Sequence, residues 1–370
     1  MSKILLFGDL HLHPHKRSSE RLQDCLDCLE WIFQTATDRE IKTIIFLGDL
    51  FHDRQKIDVL TYQKTFEIFE KHLSDVPFNL YLLLVNHDLW HFNKWDVSSV
   101  NPLRAINGVE VIDRPSTLLV GPNHDRHPIS FLPYTKDPIQ TIKDVEKSRD
   151  ELLSTDHQYE KSKRIICSHI AIDGAEWNTK FQTFSEVMIE HDGDMVKVNS
   201  DIFNNWDKAF LGHYHAAQRL DSVVEYVGSP LQLSFGEVDQ KKCILIYDLK
   251  SGEKEYVENT FSPKHFILTE SQLNSHDLNG QFVRVTVEDI SSSTVVDIQK
   301  NLTDLGAKSV RIQQSPKEDE HFIKDAKAIL YKDDEMLKTY LEQVNPENLN
   351  KEKLLRIGKT ICEKGQNEES

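Results

Sequence analysis

Apolar positions along the first ninety residues follow two alternating rhythms. KILLF (3–7), KTIIFLG (42–48) and NLYLLLV (79–85) are short, nearly continuous apolar runs with the length of buried strands. Between them lie two helical stripes. Ser18 to about Asp38 sets Leu22, Leu26, Leu29 and Phe33 on one face, and 59–74 does the same with Leu60, Phe66, Phe69 and Leu73. Strand–helix–strand–helix–strand predicts parallel strands joined by right-handed crossovers. VEVI, STLLVG, ISFLPY, RIICSH, KAFLGH, SVVEYVG and KCILIYDL continue as short β-rich runs. They predict a layered or sandwiched α/β core that ends near residue 260.

The pattern changes at TFSPKH (260–265), where Pro263 interrupts any regular element. GQFVRVTVED alternates like a half-exposed strand. SSSTVVDIQKNLTDLG reads as a serine-capped helix stopped by Gly306, and KSVRIQQ returns as a strand. This β–α–β unit predicts a small cap over 265–320, separate from a main domain over 1–260. The stretch 333–364 predicts two short helices broken at Asn345-Pro346, each with one apolar stripe suited to docking or to a partner.

Composition narrows the class. No apolar run approaches the roughly 20 residues of a membrane span, and the opening MSKILLFGDLHLH has no cleavable signal pattern, so a cytoplasmic protein is expected. Five scattered cysteines do not make a disulfide framework. Cys25 and Cys28 form a C-x-x-C inside a helical stripe with no second such pair, and read as small helix residues. The net charge of −16 argues against unaided capture of nucleic acid, since phosphate binding rests on Lys and Arg. Bound cations or a basic partner would remove that objection.

The chemistry gathers at strand ends. ILLFGDLHLH ends in Asp9 and His11, IIFLGDLFH in Asp49 and His52, and LLLVNHD in Asn86, His87 and Asp88. RIICSHI contributes His169, and AFLGHYH contributes His213 and His215. In open α/β sheets the carboxyl ends of strands border the ligand crevice, so five such ends predict one pocket. Mixed oxygen and nitrogen donors suit Mn²⁺, Fe²⁺ or Zn²⁺ better than Ca²⁺, and a carboxylate such as Asp49 can bridge two ions. Two ions about 3.5–4 Å apart form a clamp for displacement at phosphorus. The remaining histidines read as ordinary surface or packing residues.

G-D-x-H, G-D-x-F, N-H-D, a lone His after a strand and G-H-x-H, in this order, resemble the calcineurin-like metallophosphoesterases. DIFNNWDKAFLGHYHAAQRL (201–220) and YVGSPLQLSFGE (226–237) narrow the resemblance to the SbcD-type nuclease subunits of double-strand-break repair complexes. The resemblance implies a four-layer αββα sandwich with a small α/β cap and C-terminal helices. It implies that Asp9, His11, Asp49 and His215 hold one Mn²⁺, and that Asp49, Asn86, His169 and His213 hold the other. His87 would stabilise charge at the scissile phosphate and protonate the leaving 3′ oxygen, oriented by Asp88. His52 would face the phosphate and matter more for exonuclease than for endonuclease action, and Lys16 and Arg17 could touch the DNA backbone. The family further implies a homodimer within a heterotetramer, joined through the terminal helices to an SMC-like coiled-coil ATPase. One departure stands out: Val85 occupies the position where the N-H-D motif usually begins with Gly. A β-branched residue there disfavours positive φ.

Two other readings fit parts of the pattern. A small-molecule or nucleotide phosphodiesterase would share the metal ligands but not the SPLQLSFGE block, the cap or the terminal helices. An inactive scaffold would be expected to lose ligands, and none is missing here.

Overall fold

The apolar runs form two six-stranded sheets that lie face to face. A computed structural model describes residues 2–314, apart from 14–18, 76–77, 92–93, 122–124, 136, 155–161, 179–180, 183–187, 192–193 and 289–290. The predicted helices of 333–364, and Lys16 and Arg17, lie outside the described residues. In the first sheet, strands Lys3–Phe7, Thr43–Phe46, Asn79–Leu83 and Val109–Ile112 run parallel in that spatial order. Cys243–Asp248 and Lys254–Glu258 extend it antiparallel beyond Lys3–Phe7. The second sheet is centred on His127–Leu132, Ile165–His169, Lys208–Gly212 and Val224–Tyr226, all parallel, with antiparallel edges at Ser116–Val120 and Gln218–Arg219.

Side-chain alternation explains why these strands read as continuous apolar runs. Leu5 and Phe7 face helices Ser19–Asp38 and Val59–Asp75, where they meet Leu26, Leu29, Phe33 and Phe69. Ile4 and Leu6 point the other way, into an inter-sheet core with Ile45, Phe131, Cys167 and Phe210. The outer face of the second sheet, including Ile166, Ala209 and Leu211, is covered by Val145 and Leu152 of helix Pro138–Ser154. The layers are therefore helix, sheet, sheet, helix, the expected αββα sandwich. Each large apolar side chain buried this way contributes about 1.5–3 kcal/mol. Cys25 and Cys28 are fully buried in the first helix–sheet layer, and no metal-donor group among the described residues contains a cysteine.

Residues 265–314 carry their own small core of Leu268, Val283, Val285, Ile298 and Leu302. The expected β–α–β unit is present, but it has one more strand. His265–Thr269, Phe282–Val287 and Ser309–Gln314 form a three-stranded parallel sheet beside helix Ser292–Asp304, whose N-terminus is capped by Ser291. Lys308 bridges to Asp24 at 2.6 Å and the His265 amide donates to Gln232 Oε1 at 2.6 Å, which ties this sheet to the larger layers. No helix among the described residues is long and apolar enough to cross a membrane.

Candidate metal centre

The carboxyl ends of the parallel strands from both sheets face one another. The segments after Lys3–Phe7 and Thr43–Phe46 stay zipped beyond the sheet: Asp9 N donates to Gly48 O at 2.9 Å, His11 N to Asp49 O at 3.0 Å and Leu12 N to Leu50 O at 2.8 Å. Asp9, His11 and Asp49 adopt left-handed backbone, with φ of 53°, 46° and 61°, and His213 has φ 99°. Asp and His are among the residues that tolerate this region best. Close approach of the second sheet depends on Gly212, where a Cβ would fall 2.8 Å from His169 Nδ1 and 2.9 Å from Leu47 O. Val85 is not among the residues with positive φ; it enters the N-H-D turn with ordinary backbone, and its fully buried side chain sits over Gly48.

Three donor groups result, each with its atoms within 4.8 Å of one another: Asp9, His11 and His215; His11, Asp49 and His87; and Asp9, Asp49 and His169. Asp49 Oδ2 lies 3.3 Å from His11 Nε2 and 3.5 Å from His169 Nε2, between the two sides of the pocket. His11 Nε2 and His215 Nε2 converge to 3.1 Å. His169 Nδ1 donates to Leu47 O at 2.9 Å, which leaves Nε2 as the acceptor facing Asp49. Asn86 is buried at the end of its strand. His213 belongs to none of the three groups. Its amide donates to Asp9 Oδ1 and Oδ2 at 3.0 and 3.2 Å, and its ring lies edge-on to His169 at 5.2 Å.

These residues fit a divalent pair. Asn86 Oδ1 and His169 Nε2 are buried without a hydrogen-bond partner, which costs about 1–3 kcal/mol per group unless a cation fills the gap. Burial, and then the neighbouring Asp9 and Asp88 carboxylates, push the Asp49 pKa well above the usual range, a penalty that a cation offsets. Burial and neighbouring histidines hold His11 and His169 well below theirs, so both are neutral and able to offer lone pairs.

His87 and Asp88 are arranged differently from the expectation. His87 Nδ1 lies 2.6 Å from the His52 carbonyl oxygen, so that carbonyl, not Asp88, orients the ring. The Asp88 carboxylate instead accepts from the Leu50 amide at 3.2 Å and braces the segment that carries Asp49 and His52. The reason is local: the N-H-D turn closes through Asp88 N donating to Val85 O, which turns the Asp88 side chain inward to full burial. Burial lowers the His87 pKa to about 4 and raises that of Asp88 to about 7. His87 also falls within reach of the donors of His11 and Asp49. His52 is exposed, its ring 5.9 Å from His87 and 5.5 Å from His11.

Sequence reasoning missed Glu237. It is buried, its Oε1 is 2.9 Å from His215 Nδ1, and its other oxygen pairs with Lys242 at 2.7 Å. Burial alone would raise its pKa, but Lys242 and His215 hold it down at about 2. The signal is present in the S-P…F-G-E block, whose acidic residue lies far from His215 in sequence.

The pattern of the family described as Calcineurin-like phosphoesterase matches residues 2–217. Exonuclease subunit 1 of Enterobacteria phage T4 is 24% identical over 305 residues, covering 81% of this chain and 79% of the phage protein. The SbcD subunit of nuclease SbcCD from Escherichia coli (strain K12) is 25% identical over 289 residues, covering 70% of this chain and 68% of that protein. Its counterpart from Staphylococcus epidermidis (strain ATCC 12228 / FDA PCI 1200) is 26% identical over 275 residues, covering 70% of this chain and 69% of that protein.

Proposed function

This chain belongs to the calcineurin-like phosphoesterase family, and from that premise we propose that it is a Mn²⁺-dependent DNA nuclease. It acts as a 3′→5′ exonuclease and single-strand endonuclease on DNA ends in recombination, repair and replication. It works in the cytoplasm as a homodimer with an SMC-like coiled-coil ATPase bound through 333–364. The observation that carries the reading is the convergence of Asp9, His11, Asp49, His169 and His215 from both sheets, with Asn86 Oδ1 and His169 Nε2 buried and unpartnered. The nuclease names of the relatives support the substrate class.

Asp9, His11, Asp49 and His215 would hold one ion, and Asp49, Asn86, His169 and His213 the other. Bound there, the ions supply Lewis-acid polarisation of phosphoryl oxygens and lower the pKa of an attacking water. The chain's own residues do the rest. His87 Nδ1 donates to the His52 carbonyl, so the neutral ring presents a bare Nε2. Nε2 takes up the proton that it hands to the leaving 3′ oxygen once the negative charge of the bound phosphodiester raises the ring pKa from about 4. Asp88 keeps the Asp49–His52 segment in place through the Leu50 amide. His52 meets the incoming phosphate from the open side. The net charge of −16 leaves much of the DNA contact to the ions and the ATPase.

An end-labelled DNA assay tests this reading. The protein with Mn²⁺, alone or with its ATPase, is expected to degrade linear and single-stranded DNA. His87→Ser is expected to bind Mn²⁺ as wild type does but to cleave at least 100-fold more slowly, the lower bound of roughly 10²–10⁴ for a lost acid–base group. Undiminished cleavage by the variant, or none by wild type with its ATPase, overturns it.

A further inference from the structure

His215 differs from the other donors in how it is held. His11 and Asp49 sit in the zipped segments after the first-sheet strands, and His169 ends a strand of the second sheet. His215 lies three residues beyond strand Lys208–Gly212, and its support comes from a later stretch of chain. Its ring nitrogen Nδ1 is 2.9 Å from Glu237 Oε1. Its carbonyl accepts from Ser229 N at 3.1 Å and from Lys242 Nζ at 2.9 Å.

The three supporting residues are tied to each other as well. Lys242 Nζ reaches Glu237 Oε2 at 2.7 Å, Ser229 Oγ at 2.8 Å and Gln240 Oε1 at 2.9 Å. Glu237 Oε2 also accepts from Leu233 N at 3.0 Å. Ser229, Glu237 and Lys242 are all buried. The turn that carries Glu237 is itself pinned from the cap, with the Arg284 guanidinium 4.2 Å from the Phe235 ring centre and the His265 ring edge-on to it at 4.8 Å.

We propose that Glu237 is a positioning residue for His215, with Lys242 and Ser229 completing its cradle. Glu237 accepts the Nδ1 proton, which fixes the tautomer, turns the Nε2 lone pair toward Asp9 and His11, and strengthens the ring as a ligand. A buried Glu–Lys pair alone would be weak evidence for any role, because such pairs gain little over apolar packing. Here one oxygen serves the lysine and the other serves a histidine whose far nitrogen enters a donor group, the arrangement by which carboxylates tune metal-bound imidazoles. The role explains why S-P…F-G-E belongs with G-H-x-H: the block is the seat of the second histidine. Glu237 touches no substrate.

The inference rests on the two-ion reading above, and the test separates the two. Mn²⁺ binding to the full chain is followed by titration calorimetry and by EPR of free Mn²⁺, for wild type, Glu237→Ala and Glu237→Gln, with circular dichroism as the folding check. Wild type is expected to bind two ions. Glu237→Ala is expected to weaken one of the two sites by roughly 10- to 100-fold and to leave the other unchanged. Glu237→Gln keeps an acceptor for the ring without its charge, so it should fall between the two; it carries the comparison alone if the alanine variant does not fold. Unchanged affinity at both sites, or equal weakening of both, overturns the positioning role. Failure of wild type to bind Mn²⁺ overturns the two-ion reading instead.

Discussion

Gly48 and Val85 form a test of how the segment that carries Asp49 is packed. A Cβ on residue 48 would lie 2.4 and 2.5 Å from the two methyl carbons of Val85, and Gly48 has φ 104°. Gly48→Ala therefore costs about 1–2 kcal/mol for left-handed backbone and about 1–3 kcal/mol for overpacking. Val85→Gly removes a fully buried side chain, costing about 1.5–3 kcal/mol, and adds about 0.5–1 kcal/mol of glycine entropy. In the double variant the methyl groups are gone, so the overpacking cost disappears while the backbone cost remains. The double variant should be about 1–3 kcal/mol more stable than the sum of the singles implies. Urea unfolding, read in parallel by tryptophan fluorescence and circular dichroism, gives the cycle. Additivity to within about 0.5 kcal/mol refutes the contact. Asp49 follows Gly48 directly, so Mn²⁺ affinity should fall in Gly48→Ala and recover in the double variant.

Other expectations rest on separate parts of the molecule. Mn²⁺ at 100 times its Kd should stabilise the chain by about 2.7 kcal/mol per site; a melting temperature that stays the same with Mn²⁺ and with chelator rules out the centre. His169→Ala should remove about half of that shift, the share of the one ion it would hold, and leave the stabilisation owed to the ion at Asp9, His11, Asp49 and His215. Asn259 is buried, and its amide donates to Pro230 O at 2.9 Å and Ser262 Oγ at 2.8 Å, so Asn259→Ala should cost about 1–3 kcal/mol in urea unfolding. A loss below about 0.5 kcal/mol there would mean that the turn closes without it.

The sequence carries the layers because buried parallel strands leave long apolar runs, as at Leu5–Phe7 and Ile44–Phe46, and amphipathic helices mark the faces they cover. The cap strand HFILT is harder to read: His265 and Pro263 break its apolar run, and its pairing with Phe282–Val287 is made across a loop. The site divides in the same way. Asp9, His11, Asp49, Asn86 and His169 announce themselves as polar residues at apolar strand ends. The partner of His87 could not, because it is a backbone carbonyl, which every residue possesses. Nor could Glu237, whose meaning depends on the return of the chain to His215 through the S-P…F-G-E turn. Val85 reads in sequence as a departure, yet it fills space over a glycine one strand away, a compensation visible only in three dimensions.

Backbone strain at the proposed ligands bears on how the centre would work. Among the described residues, six that are not glycine have positive φ, and Asp9, His11, Asp49 and His213 are four of them. Such conformations cost about 1–3 kcal/mol each and persist only where the surroundings over-determine them. The over-determination is visible: the amides of Asp9, His11 and Leu12 are all paired across to 48–50, and Leu10, Leu12, Leu47, Leu50 and Phe51 are buried around them. Relaxing either segment would break that zipper and expose those side chains, a larger loss than the strain it relieves. The donors are therefore held in their converged arrangement by the fold, and the binding energy of ions taken up there would not be drawn down by ordering loops. Donors placed in advance also keep their positions as charge develops on the phosphoryl oxygens, which is where a fixed electrostatic environment outperforms one that must reorganise.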